Sequence, residues 1–227
     1  MTGTAFDTPS MPEAEQAFLR EAYREARVIL EYGTGGSTMM AARMGAGKYV
    51  LGVESDRDWA RSLRAALARD LPGALVTVLH VDIGPTGAWG RPLDDRHWHR
   101  YHAYPNAIWD APFFRQPDVV LVDGRFRTAC LLTTALRTTR PVRVLFDDYA
   151  TREKYRLVER VLRPVRLVGR MAEFRLDPGM LGPQDMGLVA SQYFEISPNG
   201  SAASYRLTPQ DRLLAPQDMT GSTDDTD

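Results

Sequence analysis

VILEYGTGGSTMM, residues 28–40, decides how the rest of the chain is read. A short apolar run, VILEY, breaks into three glycines within four positions (Gly33, Gly35 and Gly36) and then enters a helix-like stretch. Glycine there permits a tight turn and lets a ligand approach bare main chain, and the first turn of the following helix presents free N–H groups to an anion or a dipole. A plain strand-to-helix turn without a ligand uses the same residues, so the surrounding pattern has to carry the reading.

Four further apolar runs follow: YVLGVE (49–54), ALVTVLHV (74–81), DVVLV (118–122) and VRVLF (142–146). They are nearly continuously apolar, as strands covered on both faces of a parallel sheet must be. Helical patterns lie between and after them: TMMAARMGA, DRDWARSLRAALARD, RTACLLTTALRTT and REKYRLVERVL. Alternation of this kind predicts an α/β fold, a doubly wound, mostly parallel sheet with right-handed crossovers and helices on both faces. Residues 165–176 and 187–195 read as two later strands, an antiparallel pair at one edge. Upstream, SMPE (10–13) matches a capping box, with Ser10 as N-cap and Glu13 reaching back, and predicts an N-terminal helix over 11–26. Residues 83–117 break the rhythm as a long insertion rich in aromatic, histidine, proline and glycine residues. The polar, acid-ended stretch 208–227 reads as a weakly ordered tail beyond one domain spanning 1–207.

With 227 residues, 44% hydrophobic and 25% charged, the chain has the composition of a soluble globular protein. A formal net charge of -1 gives no footprint for nucleic acid or for an anionic membrane. The single cysteine, Cys130, excludes an internal disulfide and a thiolate zinc cluster and is read as a small buried hydrophobe. The N-terminus has neither a basic n-region nor an apolar h-region, and no apolar run approaches the roughly 18 residues of a membrane span. No membrane partner and a cytoplasmic setting are therefore expected; a homo-oligomer stays open.

Ligands of an open α/β sheet bind outside the carboxyl ends of its strands. Here every predicted strand ends in an acid: Glu31, Glu54, Asp82, Asp123, and the pair Asp147 and Asp148. Glu54, 21 positions after Gly33, is placed to grip the two hydroxyls of a ribose. Two nucleotide ligands compete. A dinucleotide fingerprint wants glycine where Thr38 stands, and Glu31 would oppose a pyrophosphate, whereas an acid suits a ligand that carries an ammonium and a sulfonium.

On these residues the sequence resembles the class I, Rossmann-like S-adenosylmethionine-dependent methyltransferases, over roughly residues 25–170. The resemblance implies that Gly33, Gly35 and Gly36 flank the methionine part of the cofactor, that Glu31 lies near its amino end, and that Glu54 binds the ribose and Asp82 the adenine amino group. Ser37 departs from it, standing where many members carry another glycine. VLVDGR (120–125) and LFDDY (145–149) are similar to the metal-dependent O-methyltransferases, which implies a divalent ion, Mg2+, on Asp123, Asp147 and Asp148. Arg125 and Arg127 depart from that pattern: they could neutralise the aspartates without a metal, and Arg125 could hold an anionic substrate. Asp147 and Asp148 could equally cap a helix starting near Thr151.

The insertion segment WGRPLDDRHWHRYHAYPNAIW (89–109) holds three of the four histidines and three of the four tryptophans. Its spacing does not suit zinc, and it reads as a lid or wall over the strand ends, with Trp98 against the substrate and His99 as a general base, or as an aromatic mini-core at the sheet edge. Trp59, Leu63, Ala66 and Leu67 lie at helical spacing and read as the core face of a helix. The functional expectation is methyl transfer from S-adenosylmethionine to a small-molecule acceptor, at oxygen, with Asp123, Asp148 and His99 as catalytic candidates. An NAD-dependent oxidoreductase and a non-catalytic module of the same fold are the alternatives.

Overall fold

In a computed structural model of the protein, residues 6–45 and 47–195 are described, and the stretch read as a tail, 208–227, lies outside them. One sheet of seven strands has the order β3-β2-β1-β4-β5-β7-β6. Its parallel part is built from β1 (Val28–Tyr32), β2 (Tyr49–Glu54), β3 (Leu75–His80), β4 (Val119–Val122) and β5 (Val142–Phe146). Because β1 pairs with β2 on one side and β4 on the other, the order reverses beside β1, which opens a crevice at the carboxyl ends of β1 and β4.

Strand periodicity sorts the side chains onto two buried faces. Leu30, Tyr32, Leu51, Val53, Val120 and Val122 face α5 (Arg127–Arg137), while Ile29, Val50, Leu121 and Leu145 face α1 (Glu13–Glu25), which covers them with Phe18, Leu19, Ala22 and Tyr23. Each large side chain fully buried in this way contributes about 1.5–3 kcal/mol. The helices α2 (Gly36–Arg43) and α3 (Arg57–Asp70) complete the crossovers around β2, and Asp56 caps α3 by accepting from the backbone N–H groups of Asp58 and Trp59, both at 2.9 Å.

Several local expectations are corrected. Ser10 does not cap α1: the helix starts at Glu13 with Pro12 at the N-cap and no capping side chain, and Gln16 donates back to the carbonyl of Met11 at 2.8 Å. Residues 165–176 form a hairpin by themselves, β6 (Arg166–Val168) and β7 (Met171–Leu176), turning at Gly169 with φ +55°. β7 runs antiparallel to β5, so the antiparallel edge pair is β7 and β6. The expected strand 187–195 is instead α6 (Met186–Tyr193): Val189 and Gln192 are buried at helical spacing, and Tyr193 meets Thr133 of α5 at 2.9 Å. The segment after β5 winds as a 3-10 helix over Glu153–Arg160, burying Tyr155 and Val158 three residues apart.

The insertion, which contains the one-turn α4 (Ala103–Asn106), divides its aromatic residues. Tyr101, Tyr104, Ile108 and Trp109 join the main core, with the Trp109 indole donating to the Tyr32 hydroxyl at 2.6 Å and that hydroxyl donating to the Pro105 carbonyl at 2.7 Å. Trp89 and Trp98 stay 76% and 52% exposed, so the insertion is an aromatic mini-core only in part.

Candidate active site

A cleft of about 780 Å³ opens at the carboxyl ends of β1, β2, β4 and β5. Its first wall is the glycine turn after β1. Gly33 has φ +90°, and a Cβ there would lie 2.6 Å from the main chain of Gly124 in the turn after β4; a Cβ on Gly124 would meet the Tyr104 hydroxyl at 2.2 Å. The two turns therefore pack backbone to backbone, which only glycine allows. A Cβ on Gly36 would strike the Thr8 carbonyl at 2.2 Å, so the segment Thr8–Met11 lies across the start of α2 and forms one side of the cleft.

Glu31 does not face the cleft. Period two places it on the Ile29 side of β1, fully buried, where it accepts from the Tyr23 hydroxyl at 2.5 Å and from the Thr38 hydroxyl. Burial pushes its carboxyl up to about 7, against the lowering pull of the hydrogen bonds from Thr38, Tyr23 and Ser37. The same Thr38 hydroxyl accepts from the Gly35 N–H at 3.0 Å. Glu31 thus braces the glycine turn through Thr38, and Thr38 fills the place where a dinucleotide fingerprint needs glycine.

Glu54 lines the cleft and is nearly buried. One carboxylate oxygen, Oε1, accepts from the N–H groups of Ser55 at 2.7 Å and Asp56 at 3.0 Å; Oε2 has longer contacts to Thr34, 3.3 Å to N–H and 3.1 Å to the hydroxyl. Trp59, read from spacing as a core residue, lies in the cleft wall beside Gly35, its indole donating to the Thr34 carbonyl at 2.7 Å. The loop Ala88–Arg91 closes over Glu54, with the Gly90 carbonyl accepting from the Ser55 hydroxyl at 2.9 Å. Asp82 is placed elsewhere: it is exposed, outside the cleft lining, held by the Gly84 N–H at 2.9 Å and by Arg100 at 2.9 Å, and the Gly84 N–H foremost keeps its carboxyl below the usual range.

The opposite half of the cleft is an acid and arginine cluster. Asp123, Asp147 and Asp148 converge so that one oxygen of each lies within 4.8 Å of the others. Arg127, buried at the start of α5, bonds Asp123 at 2.8 Å and Asp148 at 3.2 Å and donates to the carbonyls of Gly124 and Asp147. Arg170, from the hairpin turn, grips both oxygens of Asp147 at 3.0 Å and reaches Asp148 at 3.1 Å, while Arg152 reaches Asp148 at 2.8 Å. Burial lifts the Asp123 carboxyl to about 7; Arg127 opposes that shift, and the Asp147 and Asp148 charges add to it.

As they stand, these three aspartates do not fit a divalent ion. Every oxygen of Asp147 and Asp148, and one of Asp123, already has a guanidinium partner, and the three arginines balance the three carboxylates. The bare backbone at Gly33–Gly36, the acid Glu54 and the indole of Trp59 do fit a nucleoside with a charged tail, and α2 aims its N-terminus at the same place. Among the described residues, the non-glycine positive-φ residues are Trp89, Phe126 and Asp148; Trp89 and Asp148 line the cleft, and Phe126 precedes α5, a clustering of strained backbone at a working site.

The expected site residues Gly33, Gly35, Gly36, Glu54, Asp123, Arg125, Asp147 and Asp148 are thus brought together, whereas Glu31, Asp82, Trp98 and His99 are not among the cleft lining. Trp98 packs edge-on against Phe194 with ring centres 5.5 Å apart, and His99 lies edge-on to Trp98 at 6.2 Å; neither lines the cleft. Trp59, Tyr104, Arg152, Arg170 and the Thr8–Met11 segment were not expected; only Trp59 carried a local signal, an indole one turn into the helix after Glu54.

No family model matches this sequence, and a search of curated proteins finds no match. Among solved structures, a methyltransferase-like protein from Silicibacter pomeroyi is 46% identical, with a TM-score of 0.80 over 85% of this chain and 100% of its own. An O-methyltransferase of tomaymycin synthesis, TomG from Streptomyces achromogenes, solved with S-adenosylmethionine, is 21% identical with a TM-score of 0.51, over 77% of this chain and 85% of its own. A methyltransferase from Geobacter sulfurreducens is 14% identical with a TM-score of 0.50, over 74% and 82%. The two distant structures share the fold.

Proposed function

The chain belongs to the class I, Rossmann-like S-adenosylmethionine-dependent methyltransferase family, and on that premise we propose that its cleft binds S-adenosylmethionine and methylates a hydroxyl of a small molecule. The observation that carries this reading is the meeting, in one cleft, of the glycine turn and Glu54 on one side with Asp123 on the other. Bound S-adenosylmethionine would supply a methyl group on a sulfonium and leave as S-adenosylhomocysteine.

The chain's own residues divide the remaining work. Gly33–Gly36 offer main chain without side chains; Glu54 offers Oε2, the oxygen held only by the longer Thr34 contacts, to ribose hydroxyls. Trp59, the Thr8–Met11 segment and the Ala88–Arg91 loop wall the cleft and exclude water. Asp123 is the general base: with its carboxyl lifted to about 7 it is poised to take the acceptor's proton near neutral pH, and Arg127 holds it in place. Holding acceptor and donor in line can lower such a barrier by about 7–11 kcal/mol, so positioning supplies most of the rate. Asp148, tied to three arginines, orients that cluster. The arginine pairing makes the reaction independent of Mg2+.

A radiolabelled methyl-transfer assay over a panel of small hydroxyl compounds, run in EDTA and in magnesium, tests this. Equal turnover in both is expected. Turnover only with magnesium would overturn the metal-free reading, and methylation confined to nitrogen acceptors would overturn O-methylation.

A further inference from the structure

Five arginines line the cleft: Arg91, Arg125, Arg127, Arg152 and Arg170. Arg127, Arg152 and Arg170 are consumed by the aspartates. Among the described residues, the guanidinium groups of Arg125 and Arg91 have neither a hydrogen bond nor an ion pair, and the remaining cleft acids are taken up elsewhere, Glu54 by Ser55 and Asp56 N–H groups and Asp56 by the cap of α3. Neither guanidinium therefore has a carboxylate directly against it. Arg125 is moreover half-buried, lines the cleft, and stands two residues from Asp123 on the turn whose glycine touches Gly33.

We propose that the methyl acceptor carries an oxyanion, a carboxylate or a phosphate group, which Arg125 grips with help from Arg91 while the hydroxyl to be methylated is presented to Asp123. The proposal rests on the reading of the cleft as a methyl-transfer site. A half-buried guanidinium without a partner is costly, and its planar fork matches an oxyanion bidentately. Burial foremost holds the Arg125 guanidinium below its usual range; Tyr104 opposes that shift, and the neighbouring Arg127 and Arg91 charges add to it, a condition an anion would relieve. The arrangement also explains why the aspartates are so thoroughly paired: free carboxylates beside Arg125 would compete with the acceptor for it.

The test is calorimetric titration of the full chain, with S-adenosylhomocysteine present, by inorganic phosphate and by benzoate, for wild type, Arg125→Gln and Arg91→Gln. S-adenosylhomocysteine is titrated separately into each protein. Saturable binding of at least one anion, weakened about tenfold by Arg125→Gln and less by Arg91→Gln, is the expected result, since about one charge-assisted pair is removed. Whichever anion binds identifies the acceptor's group. The proposal is overturned by equal binding in wild type and Arg125→Gln, or by no saturable binding of either anion to wild type. Loss of S-adenosylhomocysteine binding by folded wild type would instead strike at the methyl-transfer reading, which separates the two failures.

Discussion

Thr38 joins three parts of the molecule with one hydroxyl: it accepts from the Gly35 N–H, donates to Glu31, and sits in the first turn of α2. Thr38→Val should leave a buried N–H and a buried carboxylate each short of a partner and cost about 1–3 kcal/mol in chemical denaturation. S-adenosylhomocysteine affinity should fall with it. Glu31 has a further consequence. Its carboxyl titrates near 4.5 when the chain is unfolded and at about 7 when folded, so between those values the unfolded state has lost a proton that the folded state keeps. Stability from this group is therefore highest below about 4.5, falls as the pH rises to about 7, and is flat above, a loss on the order of 3 kcal/mol. Melting curves of wild type and Glu31→Gln across pH 5 to 8 should show wild type losing ground to the variant as the pH rises; parallel curves would contradict the shift. At Asp123, the sign gives turnover that falls as the pH drops below about 7, and Asp123→Asn should abolish turnover while S-adenosylhomocysteine binding survives.

At the scale of elements, the two halves of the cleft are held by different devices. The glycine turn and the turn after β4 touch through Gly33 and Gly124, so Gly124→Ala, with no room for a Cβ, should destabilise the fold by about 1–3 kcal/mol and loosen the cofactor side. The ends of β4 and β5 are tied by Arg127 at the start of α5; Arg127→Ala strands Asp123 and Asp148 and should cost about 3–5 kcal/mol in urea unfolding, with Arg127→Lys recovering only part. The central strands were legible because strands buried on both faces leave continuous apolar runs. α6 was not, because GLVASQY, with its β-branched and aromatic residues, is too short for one period to exclude the other. The hairpin at Gly169 was hidden inside one apolar stretch that the glycine divides. Of the site, the glycines, Glu54 and the three aspartates could be found at predicted strand ends. Arg152 and Arg170 could not: they reach Asp148 and Asp147 from a 3-10 segment and a hairpin turn, and nothing local separates them from the other arginines of the chain.

For the whole molecule, a formal charge of -1 conceals a local concentration of charge, with five arginines and five acids lining one cleft. No helix among the described residues is long and apolar enough to cross a membrane. Ligand linkage supplies a global readout: at about 100 times its dissociation constant, a ligand that binds only the folded chain stabilises it by about 2.7 kcal/mol, several degrees for a protein of this size. Whether the glycine turn and Glu54 form a site for S-adenosylmethionine is decided by calorimetric titration of S-adenosylhomocysteine into wild type and Glu54→Ala, both checked for fold by circular dichroism. Saturable, equimolar binding to wild type that Glu54→Ala weakens at least about tenfold is the predicted result; no binding to folded wild type, or equal binding to both proteins, would contradict it.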